Sequence, residues 1–115
     1  MGLIFKPQIT GYFVGQPQSK NYDVFAQCLT DKGVVMYGAS WCTHCKKQKE
    51  AFGSSFQYVK YIECSVQTGQ QGQAEECDAA GITSYPSWVF NGGKKLEGEL
   101  SFNELAKISG CELPK

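Results

Sequence analysis

The sequence predicts one α/β domain with a mixed central sheet and helices on both faces. Short apolar runs alternate with helical patterns through the first two thirds of the chain, which predicts parallel strands joined by helices. The hairpin signal Asn91-Gly92-Gly93 then predicts two antiparallel strands, because these residues tolerate positive φ. A length of 115 residues is enough for one modest core and too short for two.

The first half of the chain contains two predicted helices and two predicted strands. They are a helix over 19–31, a strand over 34–39, a helix over 42–52 and a strand over 58–64. Apolar residues recur at helical spacing in the first helix, which Gly33 can end. The first strand is a continuous apolar run of the kind buried on both faces, so we expect it to be central. We predict an arm or edge strand over 1–18, with the domain proper over 19–115.

The second half continues with a polar loop, a short helix, the hairpin and a last helix. The predicted ranges are a loop over 65–72, a helix over 73–80, strands over 87–90 and 94–98, and a helix over 101–109. The last helix has the strongest signal, because Ser101 and Glu104 form a capping box. Gly110 stands where a left-handed residue can end this helix.

Composition excludes several classes of function and location. Eleven basic and eleven acidic side chains cancel, so we expect no nucleic-acid partner. Apolar runs of about four to six residues are too short to cross a bilayer. The start of the chain lacks a secretory signal, which taken literally predicts cytosol. Six cysteines favour an oxidising, extracytoplasmic compartment instead, with the chain as a mature form or an excised domain.

The segment Cys42-Thr43-His44-Cys45 has the spacing of a redox dithiol at the start of a helix. Unpaired N–H groups at a helix N-terminus favour a thiolate, so we predict an exposed Cys42 as the nucleophile and the more buried Cys45 as the resolving thiol. His44 can stabilise the Cys42 thiolate, or it is only a solvated residue. The same two cysteines could also be half of a zinc site.

Two motifs resemble the thioredoxin superfamily, and the resemblance covers about Tyr22 to Gly110. The first is Trp-Cys-x-x-Cys-Lys, at 41–46; the second is the turn over 82–88, which looks like the family's cis-proline turn. The resemblance implies a thioredoxin-like fold in which a cis Pro86 holds Tyr85 against the dithiol. Backbone groups of Ser84 and Tyr85 would then be free to pair with an extended substrate.

The surface around the dithiol completes the predicted substrate site. We expect Trp41 to shape the contact surface, with Thr43 beside it. The alternative for Pro86 is an ordinary trans proline at the start of a strand.

A closer resemblance is to the thioredoxin-like domain fused to bacterial and plant homologues of vitamin K epoxide reductase. It rests on 36–50, Glu63-Cys64, Cys77 and 80–86. It implies an extracytoplasmic domain that exchanges disulfides between cysteine-containing folding proteins and a membrane-embedded, quinone-linked partner, possibly fused in the full-length chain. Cys64 and Cys77 have the spacing of that family's second cysteine pair. This chain departs from the family at Thr43, where proline is usual, and in having no membrane segments.

The leading hypothesis is therefore a protein disulfide oxidoreductase, monomeric and without a bound cofactor or metal. Met36 stands where reducing thioredoxins carry a buried acid, which favours disulfide donation, although a reductase of the opposite direction remains open. We favour a structural Cys64–Cys77 bridge over a second shuttle pair. Cys28 lies on the apolar face of its helix as a small buried residue, and whether it meets Cys111 is left open.

Two alternatives come from other classes of protein. Cys42, Cys45, Cys64 and Cys77 could form a structural zinc module, although twelve residues separate the second pair where a zinc ribbon expects about two. A redox-inactive interaction domain is disfavoured by the retained dithiol.

Overall fold

The computed structural model describes residues 21–66 and 72–115. Its elements in chain order are α1 (Asp23–Asp31), β1 (Val35–Gly38), α2 (Thr43–Phe52), a 3-10 helix (Gly53–Tyr58), β2 (Lys60–Glu63), α3 (Glu75–Ala79), β3 (Ser87–Val89), β4 (Lys95–Glu97) and α4 (Phe102–Ser109). The predicted arm over 1–18 and much of the predicted polar loop lie outside the described residues.

The four strands form one mixed sheet in the order β2-β1-β3-β4. Strand β1 runs parallel to β2, with Met36 opposite Tyr61, and antiparallel to β3, with Met36 opposite Trp88. Strand β4 pairs antiparallel with β3 across the predicted hairpin. The prediction of a mixed sheet, parallel in its first half and with the apolar 34–39 run inside it, is confirmed.

Two apolar clusters lie on opposite faces of this sheet, because neighbouring residues of a strand point to opposite sides. Met36 and Trp88 belong to the larger cluster, to which α1, α2 and α4 contribute Phe25, Phe52 and Leu105. The smaller cluster packs Tyr37, Ile62 and Val89 against Cys64, Cys77 and Ile82. Helices therefore cover both faces, as predicted.

Local signals account for the ends of most elements. Both bonds of the Ser101–Glu104 capping box form, and Gly110 ends α4 in the left-handed conformation at φ 82°. The predicted strands are one to three residues too long, and the 3-10 helix after α2 was not predicted. It takes up Tyr58, which the sequence assigned to the second strand.

Two disulfides join distant parts of the fold. Cys28 on α1 is bonded to Cys111 after α4, and Cys64 after β2 is bonded to Cys77 on α3. The Cα atoms are 5.9 Å apart in each pair. The sequence left open whether Cys28 meets Cys111, because the two lie 83 residues apart and no local pattern indicates the pairing; the structure joins them.

A buried amide on α2 ties this helix to the sheet and to the start of α4. Gln48 is 3% exposed; its Nε2 donates to the carbonyl of Leu100 at 3.0 Å. Its Oε1 accepts from the Leu100 N–H at 2.8 Å and from Trp88 Nε1 at 3.1 Å. Because each of these polar groups is paired, the amide is buried without an unsatisfied donor or acceptor.

Among the described helices, none is both long enough and apolar enough to cross a membrane.

We expect Gln48→Ala to lower the free energy of unfolding by about 2–4 kcal/mol, because three buried partners lose their hydrogen bonds. Gln57→Ala is the matched control, since Gln57 is exposed and bonds only the nearby Ser54 carbonyl; its cost should stay within about 0.5 kcal/mol. Urea unfolding of the oxidised proteins measures both. Equal losses would contradict the role assigned to Gln48.

The two disulfides should differ in their contribution to stability. Loop entropy predicts about 4.5 kcal/mol for Cys28–Cys111, which closes the longer loop, and about 3 kcal/mol for Cys64–Cys77. Urea unfolding of the two double alanine variants compares them. A larger loss from the shorter loop would show that native-state packing around Cys64 and Cys77 outweighs loop entropy.

Candidate active site

Cys42 occupies the N-cap position of α2, with extended backbone angles of φ −83° and ψ 120°. Its Sγ accepts a hydrogen bond from the Cys45 N–H at 3.1 Å. The residue is only 6% exposed, so the expectation of an exposed Cys42 was wrong, because the first turn of α2 packs against the sheet. An N-cap sulfur is therefore placed against unpaired N–H donors at the positive end of the helix dipole. This environment favours the thiolate form of a cysteine.

Cys45 lies one turn further into α2 and is completely buried, and both site cysteines are free thiols. Burial raises the pKa of the Cys45 thiol to about 12, and the hydrogen bond with the Cys42 side chain adds to this effect. Cys45 is therefore a protonated thiol in the reduced protein at neutral pH. The two sulfurs have different environments although only two residues separate them.

Gly38 at the end of β1 allows α2 to approach the sheet this closely. A Cβ atom at this position would lie 3.0 Å from Cys45 Sγ and 3.0 Å from Cε1 of Tyr61. Any larger residue would push the resolving cysteine or the tyrosine ring out of place. Gly38 was not predicted as a site residue, although a glycine at the end of an apolar strand is a signal for close backbone approach.

Behind Cys45, Glu63 connects two loops through a set of hydrogen bonds. Its carboxylate accepts from the Tyr61 hydroxyl at 2.6 Å and from the Ser40 N–H at 2.7 Å, and from the backbone and side chain of Ser65. Burial acts to raise the pKa of Glu63, but these bonds together hold it below its ordinary value. Burial, and then Glu63 itself, raise the pKa of Tyr61.

The Glu63 bonds hold the segment before the dithiol against the end of β2. Ser40 lies two residues before Cys42, and Glu63 directly precedes the disulfide-bonded Cys64. Neither Tyr61 nor Glu63 was predicted as a site residue. Both residues lie on β2 and, two positions apart, point to the same face of the sheet. The parallel pairing of β1 and β2 then brings Glu63 to Ser40.

The predicted substrate residues lie beside the dithiol. The Tyr85–Pro86 peptide bond is cis. Trp41 is 68% exposed and meets the Tyr85 ring edge to face at a centroid distance of 5.6 Å. Thr43 is the exposed first residue of α2. Trp41 and Tyr85 thus form an aromatic surface next to the start of α2.

The backbone around the proline turn is partly engaged within the domain. The carbonyl of Ser84 accepts from Ser87 Oγ at 2.8 Å, so the expectation that this group is free was wrong. The carbonyl of Pro86 accepts from the Gly98 N–H at 2.7 Å. The Ser87 hydroxyl bonds back to the turn, and the sequence pattern does not indicate this contact.

His44 is exposed, and its ring contacts an acidic residue from another part of the chain. Its Nδ1 lies 2.6 Å from Oε2 of Glu99, which precedes α4. Across the described ranges no hydrogen bond joins the His44 ring to the Cys42 sulfur. His44 was expected either to stabilise the Cys42 thiolate or to be a solvated residue, and the contact with Glu99, 55 residues away, was not predicted.

A zinc module would need the sulfurs of Cys64 and Cys77 as free thiolates, but the structure pairs them in a disulfide. Within 21–66 and 72–115, no group of three or more His, Cys, Asp or Glu side chains could hold a metal ion. The donor set that the zinc alternative requires is thus not assembled in this state.

The fold agrees with comparisons against known proteins. The family model described as Thioredoxin matches residues 14–109. The chain belongs to the thioredoxin family. It is 38% identical over 91 residues to the thiol-disulfide oxidoreductase LTO1 of Arabidopsis thaliana, with 76% of this chain and 24% of the relative covered. It is 32% identical over 91 residues to the protein disulfide isomerase-like 2-2 of Oryza sativa subsp. japonica, with 71% and 24% covered. The chain thus spans about a quarter of the length of these relatives.

The unequal environments of the two thiols predict unequal reactivity. In the reduced protein at neutral pH, iodoacetamide should modify Cys42 faster than Cys45, because Cys45 has a pKa of about 12 and stays protonated. Rates followed by mass spectrometry should show one fast thiol that is lost in Cys42→Ser and kept in Cys45→Ser. Equal reactivity of both thiols would contradict the assignment.

Proposed function

We propose that this domain is an extracytoplasmic thiol–disulfide oxidoreductase that accepts electrons from the thiols of folding proteins at Cys42–Cys45. The observation that carries the proposal is the pairing of an N-cap Cys42 with a fully buried Cys45 beside the cis Pro86. Both relatives have names that describe disulfide chemistry, which supports the reaction class.

The two cysteines divide the exchange reaction between them. A substrate thiolate attacks Cys42 Sγ of the oxidised pair, the Cys42–Cys45 bond breaks, and Cys45 leaves and takes up a proton. The second substrate thiolate then attacks the substrate sulfur of the mixed disulfide, and Cys42 leaves as a thiolate. The substrate is oxidised to a disulfide, and Cys42 and Cys45 are reduced.

The surroundings of the two sulfurs determine the form in which each is released. Burial favours the thiol form of Cys45 once it is released. The N–H of Cys45 and the helix dipole stabilise the Cys42 thiolate that leaves last. Because the Cys42 thiolate exists only in the reduced pair, its stabilisation makes the disulfide a better oxidant.

The surface beside the dithiol has the composition of a peptide-binding site. In this proposal Trp41, Thr43 and Tyr85 contact the residues that flank the substrate cysteine, and the Ser84–Pro86 turn aligns the substrate backbone. Trp41 provides a large exposed ring, and the Tyr85 ring packs against it edge to face. Rigid aromatic groups of this kind contribute contact area at a low entropy cost.

The direction of electron flow is the finer part of the proposal. Met36 is buried in the sheet next to the dithiol helix and provides no carboxylate there. Position 36 therefore lacks the buried acid that reducing thioredoxins carry there, as the resemblance implies. This favours disulfide donation over reduction, the alternative function.

The reduced dithiol must then pass its electrons on. We propose a membrane-embedded, quinone-linked partner like the vitamin K epoxide reductase homologues, on the basis of the motif resemblance. The two additional disulfides support an oxidising compartment, since such bridges are rare in reducing cytosol. Coverage of only a quarter of the relatives' length leaves room for such a partner within a longer chain.

The reduction potential tests the direction. We expect Cys42–Cys45 to be more oxidising than a reductant thioredoxin at about −270 mV, and near the isomerase value of about −180 mV. Equilibration with glutathione buffers, read by mass spectrometry after alkylation, measures it. Replacing His44 with proline tests whether the ring stabilises the Cys42 thiolate through its charge, since no hydrogen bond joins the two within the described ranges; a lower potential would show that it does.

A potential at or below that of thioredoxin would instead favour the reductase. The variant Cys64→Ala/Cys77→Ala is the control, since an unchanged potential would show that the measured couple is Cys42–Cys45 alone.

A further inference from the structure

Glu99 is an exposed acidic residue whose side chain contacts the histidine between the two site cysteines. Its Oε2 lies 2.6 Å from Nδ1 of His44. Glu99 belongs to the short connection between β4 and α4 and lies far from the dithiol in sequence. Nothing in the local sequence around either residue indicates this pair.

The backbone of Glu99 is fixed on both sides. The N–H of the preceding Gly98 donates to the carbonyl of Pro86 at 2.7 Å. Both backbone groups of the following Leu100 are bonded by the side chain of Gln48, at 2.8 and 3.0 Å. The carboxylate therefore projects from a segment that the cis-proline turn and helix α2 hold in place.

The same helix provides both contacts to this segment. His44 and Gln48 are four residues apart on α2 and so lie on one face of the helix. They bond two consecutive residues, Glu99 and Leu100. Since Gln48 is buried and fully paired, the position of Glu99 relative to His44 is built into the core.

The chemistry of a carboxylate decides which ring nitrogen carries the proton. An ionised glutamate accepts hydrogen bonds and cannot donate them, so Nδ1 of His44 must be the donor. In the neutral ring, Nε2 then has a free lone pair. Within the described residues Nε2 has no hydrogen-bond partner, and the side chain is 68% exposed, so an incoming group can reach it.

We propose that Glu99 is a positioning residue that fixes His44 as the Nδ1–H tautomer, so that Nε2 acts as a base toward the incoming substrate thiol. This inference rests on the proposed oxidoreductase function. The substrate thiol gives its proton to Nε2 and attacks Cys42 Sγ as a thiolate. The Cys42–Cys45 bond breaks, Cys45 receives a proton, and His44 returns to the neutral form. A third group that orients a base in this way is a general feature of activated nucleophiles.

The tautomer can be observed directly, because His44 is the only histidine of the chain. Long-range nitrogen–proton NMR spectra of the ring, recorded at the high-pH end of its titration, should show a proton on Nδ1 in the unaltered protein. Glu99→Ala should abolish this preference, whereas Glu99→Gln should keep part of it through the amide oxygen. Glu97→Ala is the matched control, since Glu97 accepts from Thr83 and should leave the spectrum unchanged. An Nε2–H ring in the unaltered protein would overturn the inference.

Kinetics test the consequence for exchange. With a reduced cysteine peptide as substrate, Glu99→Ala should slow reduction of the Cys42–Cys45 disulfide about tenfold. This loss is smaller than the 10²–10⁴-fold that a general base contributes, because the ring remains. In a His44→Gln background, Glu99→Ala should have no further effect. An equal slowing in both backgrounds would mean that Glu99 acts without His44 and would overturn the inference.

The two proposals fail in different ways. If the unaltered protein exchanged no disulfides with the peptide, the oxidoreductase function would be wrong, and the base role of His44 with it. If exchange were normal and Glu99→Ala changed neither its rate nor the tautomer, only the role of Glu99 would be wrong.

Discussion

The close approach of helix α2 to the end of strand β1 is the constraint on which the site depends. It requires glycine at position 38, because a Cβ there would meet Cys45 Sγ at 3.0 Å. The approach buries Cys45 completely and places the start of the helix just beyond the carboxyl end of β1. The Tyr61 ring lies against the same glycine, so one missing methyl group allows two strands and a helix to pack together.

That approach also separates the chemistry of the two sulfurs. Burial beneath the first turn raises the pKa of Cys45, whereas Cys42 receives the N–H of Cys45 at the helix end. A helix placed further from the sheet would expose both thiols to water and reduce the difference between them. The redox behaviour of the pair therefore follows from packing as much as from the residues between the cysteines.

The sequence predicted the parts of the fold that local signals determine. The capping box at Ser101, the stop at Gly110 and the apolar run of β1 each act over a few residues, and the structure contains them. The predicted ends of the strands were less accurate, because turns that the local pattern does not indicate end the pairing between strands. The N–H of Val34, for example, bonds back to the end of α1 at Leu29 instead of joining the sheet.

Contacts between residues distant in sequence could not be predicted in the same way. The Cys28–Cys111 bridge and the His44–Glu99 pair join residues 83 and 55 positions apart, and neither partner carries a local signal for the other. Both pairs depend on where the segment around α4 packs. The dithiol itself was predictable, because its spacing and its position after a strand are local features.

Helix α2 shows why hydropathy alone misses the groups that organise the site. Its buried side chains are Cys45, Gln48 and Phe52, spaced three and four residues apart. A glutamine in that series looks like a solvent-facing residue in the sequence, yet all of its polar groups are paired inside the fold. The spacing of Cys45 and Phe52 already places position 48 on the buried face. A polar residue on such a face must find partners. In this protein those partners fix the segment that holds Glu99 against His44, so the stability of the helix and the arrangement of the site have a common cause.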